Sequence, residues 1–162
     1  MFAVLADQAI YEFENEPPRD VSALQQRYAK LEARASPDGS EQWLNWVIRL
    51  PGAELAGYIQ ATVLVGGRAY VAYELASRFW RRGIASTALA AVLEELASRY
   101  FVRDAFAVLK AANYRSLGLL GKLGFAPLPP AARAPWATEP GEVVVHKALA
   151  RGHEAGTSAS RA

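Results

Sequence analysis

Between residues 41 and 76 the chain passes through three β-rich segments in direct succession. They are EQWLNWVIRL, ELAGYIQATVLV and RAYVAYELA, separated by Pro51-Gly52 and by Gly66-Gly67. Aromatic and β-branched residues crowd these runs, so they are expected to form neighbouring strands, and the Gly-Gly pair is a hairpin turn signal. A chain that commits three consecutive strands to one sheet must then cover that sheet, and the rest of the sequence changes period to do so.

Ahead of the strands, Phe2, Leu5, Ala9 and Phe13 fall at helical spacing, which predicts a first helix over residues 2–13. A second helix is expected to start at an Asp20 or Ser22 cap and run to about Ala35, with Leu24, Tyr28, Leu31 and Ala35 on one face. After the strands, ALAAVLEELASRYF places Leu89, Val92, Leu93 and Leu96 on one side of a helix. DAFAVLK reads as a strand, NYRSLGLLGKLGF as a short helix closing on Gly124, and GEVVVHKAL as the last strand. The order is two helices, three strands, helix, strand, helix, strand, long loop, strand. It predicts an α/β (α+β) fold: a mixed, mostly antiparallel central sheet with helices on both faces. Residues 1–149 are expected to form one domain, and the small, polar stretch 150–162 a disordered tail.

The 162 residues are 52% hydrophobic, enough for a buried core. With 18 basic and 16 acidic residues and no long basic run, the chain has no nucleic-acid footprint. The absence of cysteine excludes a thiol nucleophile, a disulfide framework and a Cys-type zinc site. His146 and His153 alone do not make a metal cluster, so no metal is expected. Without a basic leader or an apolar run of about 18 residues, the chain reads as a soluble cytoplasmic protein with no membrane partner.

The turn Arg81-Arg82-Gly83-Ile84-Ala85-Ser86 carries the first chemical signal, because it joins the third strand to a helix. The first amides of a helix lack internal partners and carry partial positive charge, which suits a pyrophosphate. Gly83 and Ala85 leave room for one, and two arginines that would otherwise oppose the dipole become intelligible. The Rossmann and P-loop patterns are both absent. A second signal is Asn113-Tyr114-Arg115-Ser116 before Lys122-Leu123-Gly124-Phe125, a helix with an Asn cap.

In this order and about thirty residues apart, the two stretches resemble the GNAT superfamily of N-acetyltransferases. Trp80 through Ala85, W-R-R-G-I-A, is similar to the superfamily's coenzyme A pyrophosphate loop, Gln/Arg-x-x-Gly-x-Gly/Ala. Its opening Trp departs from that pattern and matches the branch resembling the ribosomal-protein N-terminal alanine acetyltransferases. Tyr73-Glu74-Leu75 resembles that branch's strand end, and Asn113, Ser116 and Lys122-Leu123-Gly124-Phe125 its second segment. The resemblance covers roughly residues 43–126. It implies a GNAT-like fold and acetyl-CoA as cosubstrate, held by Leu75, Ala76, Arg81, Arg82, Gly83, Ile84, Ala85, Ser86, Asn113 and Ser116. It also implies acetyl transfer by direct attack of an amine, either a protein N-terminus or a small molecule. A homodimer is compatible with it. Three features depart from the superfamily's pattern. No strand precedes the opening helices, Leu120 stands where many members carry a tyrosine acid, and the loop 127–140 is long.

Glu74, at the end of the third strand, is the first candidate for general base, with His146 behind it. Trp43 and Trp46 point to opposite strand faces, so one is expected in the core and the other beside an acceptor groove, a role Trp136 could share. Two other readings stay open: a non-catalytic acetyl-CoA-binding module and a nucleotide-binding or oxidoreductase domain.

Overall fold

The computed structural model describes residues 1–13, 15–129 and 138–150. Strands β1 (Glu41–Arg49), β2 (Leu55–Leu64) and β3 (Arg68–Leu75) form the expected antiparallel succession. Gly66 and Gly67 both take positive φ at the second turn, a conformation side chains resist. Strands β4 (Asp104–Lys110), β5 (Ala126–Pro127) and β6 (Glu142–Ala148) complete a six-stranded sheet in the order β1-β2-β3-β4-β6-β5. Only β3 and β4 run parallel; every other neighbouring pair is antiparallel.

Four α-helices occur among the described residues: α1 (Phe2–Leu5), α2 (Val21–Leu31), α3 (Ile84–Arg99) and α4 (Tyr114–Lys122). The expected face of α3 is buried, with Leu89 and Leu96 at 0% exposure, and it joins Ile59, Val71, Ala105 and Ala107 of the sheet in one core. The opposite sheet face carries Tyr58, whose hydroxyl meets Arg27 of α2. The mixed sheet with helices is therefore the predicted fold.

Two helix boundaries differ from expectation. Residues 2–13 do not form one helix, because α1 stops at Leu5 and a 3-10 turn covers Gln8–Tyr11. Asp7 lies between them in extended conformation, accepting from Ala9 N–H on one oxygen and from Ser77 N–H at 2.7 Å on the other. That tertiary bond draws the backbone out of helix. Likewise α2, capped by Asp20, ends at Leu31; Arg34 takes φ 58° and Ala35 bridges to Gln42 instead of extending the helix. The tail beyond Ala150, with His153, lies outside the described residues.

Candidate active site

Strands β3 and β4 pair only where Arg68, Ala69 and Tyr70 face Asp104, Ala105 and Phe106, and then part. Ala76 N–H bonds Ala56 of β2, so alternation turns the backbone of Leu75 and Tyr73 toward the parted edge. The Leu75 carbonyl accepts the Trp80 indole N–H at 2.8 Å, which fixes the turn beyond the strand. Ala76, expected among the cofactor contacts, has its N–H on Ala56 and its carbonyl on Phe79 N–H, facing away from the cleft. Gly57 lies directly across from Leu75, and a Cβ there would come within 2.0 Å of the Glu74 carbonyl oxygen. Only glycine lets β2 run this close to the end of β3.

The cleft opens onto the start of α3. Gly83 caps that helix at φ 77°, and a Cβ on it would meet nothing within 4 Å. Its conformation therefore requires glycine, and the space beside it is open. The amides of Ile84, Ala85 and Ser86 form the free first turn. The Ser86 hydroxyl donates back to the Gly83 carbonyl, no acidic residue lies in that turn, and Arg81 and Arg82 are exposed beside it. Asn113 caps α4 by accepting from Ser116 N–H at 3.1 Å. That bond occupies its carbonyl oxygen and leaves its amide N–H groups without a partner among the described residues. Between the two helix starts, Arg115 pairs with Glu12 at 2.6 Å and stands 4.7 Å over the Trp80 ring. Glu12 thereby ties the N-terminal segment to the first turn of α4.

Glu74 is half-buried on the α2 face, opposite Tyr58 in the ladder. Tyr58 accepts from Arg27 Nη2 at 3.2 Å and donates toward Glu74. The Tyr11 hydroxyl approaches Glu74 Oε2 at 3.4 Å while donating to the Leu5 carbonyl at 2.9 Å. Burial, and next the Glu74 charge, push both tyrosine hydroxyls well above their ordinary range, so they stay neutral donors. Burial works against the charge of Arg27, yet Tyr58 and Glu74 hold its pKa above the ordinary value. None of Tyr11, Arg27 or Tyr58 stood out in sequence, since each sits in an unremarkable helical or strand context.

His146 is not brought to Glu74. Its Nε2 lies 2.8 Å from Asp104 Oδ1 and its ring packs on Phe106, 4.8 Å between centroids. Phe106 faces Tyr70 at the closed end of the cleft, four residues of strand, about 13 Å, from Glu74. Trp46 packs against the core, while Trp43 lines a surface pocket beside α2. Trp136 and residues 130–137 of the long loop lie outside the described residues. Among the described residues no group of three or more His, Asp or Glu could hold a metal ion, and no helix is long and apolar enough to cross a membrane.

Residues 1–126 match the family model of the acetyltransferase (GNAT) domain. The chain belongs to the GNAT acetyltransferase family. Its fold is that of solved GNAT structures. The spermidine N-acetyltransferase of Vibrio cholerae, in complex with CoA and spermine, superposes with a TM-score of 0.68 at 14% identity, covering 93% of this chain and 88% of that one. A GNAT-family acetyltransferase from Bacillus anthracis gives 0.68 at 15% identity, with 91% and 86% covered. The ribosomal-protein-S18-alanine N-acetyltransferase of Escherichia coli gives 0.62 at 16% identity, with 95% and 90% covered. No curated protein sequence matches significantly. Family membership makes the chain a GNAT acetyltransferase domain and removes the oxidoreductase reading.

Proposed function

We propose that this GNAT enzyme transfers the acetyl group of acetyl-CoA to a primary amine that enters beside Glu74. The observation that carries this reading is the parted β3–β4 edge, with the amides of α3 at its mouth and a carboxylate on its flank. Residues 81–86 fit a pyrophosphate, because their turn offers amides, two arginines and open space at Gly83. Asn113, with Ser116 held under its cap, presents amide donors toward the arm that follows the pyrophosphate. Leu75 offers its N–H, on the open edge, to the thioester carbonyl oxygen, where negative charge grows during attack.

Acetyl-CoA supplies the activated acyl group and a good leaving thiolate. An amine is protonated near neutral pH, so Glu74 takes its proton, directly or through water, and frees the lone pair for direct attack. The C–N bond forms and the C–S bond breaks; the proton held by Glu74 passes to solvent, and the second proton, lost from nitrogen as the adduct collapses, goes to the leaving thiolate. Leu120, where the resemblance places a tyrosine acid, is buried at 2% exposure and supplies no proton. The same observation favours a second reading, a module that binds acetyl-CoA without turnover.

One experiment separates them. Acetyl-CoA is titrated by calorimetry, and free thiol is then followed with a panel of primary amines. Saturable binding with amine-dependent thiol release supports the enzyme. Binding without release from any amine supports the module, and absence of binding overturns both.

A further inference from the structure

The flank of the cleft carries a cation as well as a carboxylate. Arg27 donates one of its five N–H groups to Tyr58, and among the described residues no carboxylate lies within ion-pair distance of it. Charged side chains held at a site usually meet an opposite charge, and an arginine fork matches a carboxylate edge to edge. We propose that the acceptor is a zwitterion, an amine with a carboxylate one or two carbons away, as in a free α-amino acid, whose carboxylate is received by Arg27 while its amine faces Glu74. This rests on the acetyltransferase reading above and names its substrate class.

The spacing suits such a molecule. Arg27 and Glu74 stand on either side of one hydroxyl, that of Tyr58. Tyr58 and Glu74 are ladder partners, and two hydrogen bonds in series allow at most about 6 Å between the guanidinium and the carboxylate. An amine and a carboxylate joined through one or two carbons, each with its own hydrogen bond, span that interval in a single bent path. Tyr58 is buried, so the hydroxyl that sets the spacing is fixed in place. Tyr11, from the N-terminal segment, closes the same cluster from the other side of Glu74.

The neighbouring surface accounts for the remainder of an amino acid. Ala72 precedes Glu74 by two residues on the same sheet face. It borders a pocket of about 100 Å³ together with Trp43, Asn45, Gln60, Thr62 and Tyr70. Leu31 and Ala61 line it as well, so apolar groups stand beside the amide and hydroxyl groups, and no carboxylate lines the pocket. A side chain of modest size fits it.

The test crosses acceptor charge with Arg27. Wild-type protein and Arg27→Met, each saturated with coenzyme A, are titrated calorimetrically with a panel of amino acids, the matching amino-acid amides, acidic-N-terminal dipeptides and spermine. Loss of one charge-assisted pair should weaken binding about tenfold or more. The expected result is that amino acids bind at least tenfold more tightly than their amides to wild type, with the difference gone in Arg27→Met. Coenzyme A affinity, unchanged in Arg27→Met, certifies that the variant is folded; Arg27→Lys, which keeps the charge, should restore part of the preference. Dipeptides that bind in an Arg27-dependent way while free amino acids do not would overturn the free amino acid as source. Amides or spermine binding as tightly as the acids, a preference that survives in Arg27→Met, or no acceptor binding at all would overturn the proposal. Failure of the acetyltransferase reading shows separately: acceptors bind, but acetyl-CoA releases no thiol in their presence.

Discussion

The two sides of the cleft are built by opposite means. The side proposed for the donor is mostly backbone: strand-edge groups at Leu75, the amides opening α3 and a left-handed Gly83 lie within one continuous stretch of chain. The side proposed for the acceptor is side chains: Tyr11, Arg27, Tyr58 and Glu74 arrive from four elements, and Tyr11 lies 63 residues from Glu74. A backbone site tolerates many side chains and keeps its ligand. A side-chain site changes its ligand whenever one residue changes. The difference teaches why a family can share a donor while its members differ in acceptor.

The largest expected effect falls on the acceptor side. Glu74→Gln keeps the shape and removes the basicity, so kcat/KM should fall about 100-fold at low pH. The deficit should shrink as pH approaches the pKa of the amine, and acetyl-CoA affinity should hold. Wild-type turnover across the pH range would move the chemistry off this carboxylate.

Gly57→Ala strikes where the two sides meet. Its Cβ would stand 2.0 Å from the Glu74 carbonyl oxygen, so β3 must shift at both Glu74 and Leu75. Overpacking of this kind costs about 1–3 kcal/mol. Thermal melts should fall by several degrees, and donor and acceptor KM should rise together. A rise in only one would show that the two sides are mechanically separate.

On the donor side, Gly83→Asp places a carboxylate beside the α3 amides. Acetyl-CoA affinity should drop at least tenfold, about 1.4 kcal/mol, by calorimetry. Unchanged binding by a folded variant would remove this turn as the anion site. Gly83→Ala is the control, since an added methyl meets no atom and tests only the positive φ.

The smallest effect concerns the tether between the N-terminal segment and the turn before α3. Burial alone would raise the Asp7 pKa, but hydrogen bonds from Ser77 and Ala9 outweigh it and hold the value below the ordinary 3.8. A depressed carboxyl stabilises the fold above its unfolded pKa, and this contribution is lost as pH falls through the folded value. Asp7→Asn should therefore cost about 1 kcal/mol at pH 7. In urea melts the gap between variant and wild type should close below about pH 4. A gap that does not narrow as pH falls below the ordinary 3.8 would assign the effect to shape rather than charge.

The same division governs what the sequence reveals. The turn 81–86 and the capped helix at Asn113 are contiguous, and their chemistry depends on local conformation that glycine, asparagine and helical period dictate. They were legible together with the order of strands and helices. Even so, backbone direction was not: Ala76 turns its N–H toward β2. The break after Leu5 depends on Ser77, which no local pattern couples to Asp7. The Tyr11–Arg27–Tyr58 surround of Glu74 exists only once α2 crosses the sheet. Trp43 and Trp46 were separable because strand alternation sorts them, whereas His146 shares a sheet face with Glu74 and only topology reveals the distance between them.

The short pairing of β3 with β4 has a thermodynamic consequence. Beyond Tyr70 two strand edges diverge, and polar backbone groups lie along the gap. A pantetheine arm carries amides spaced much like those of a peptide, so the donor can enter as a missing strand and close the ladder. Folding and donor binding then draw on the same free energy. At a donor concentration one hundred times its Kd, the native state gains about 2.7 kcal/mol. The half-life of this chain against added protease should therefore lengthen as acetyl-CoA is titrated in.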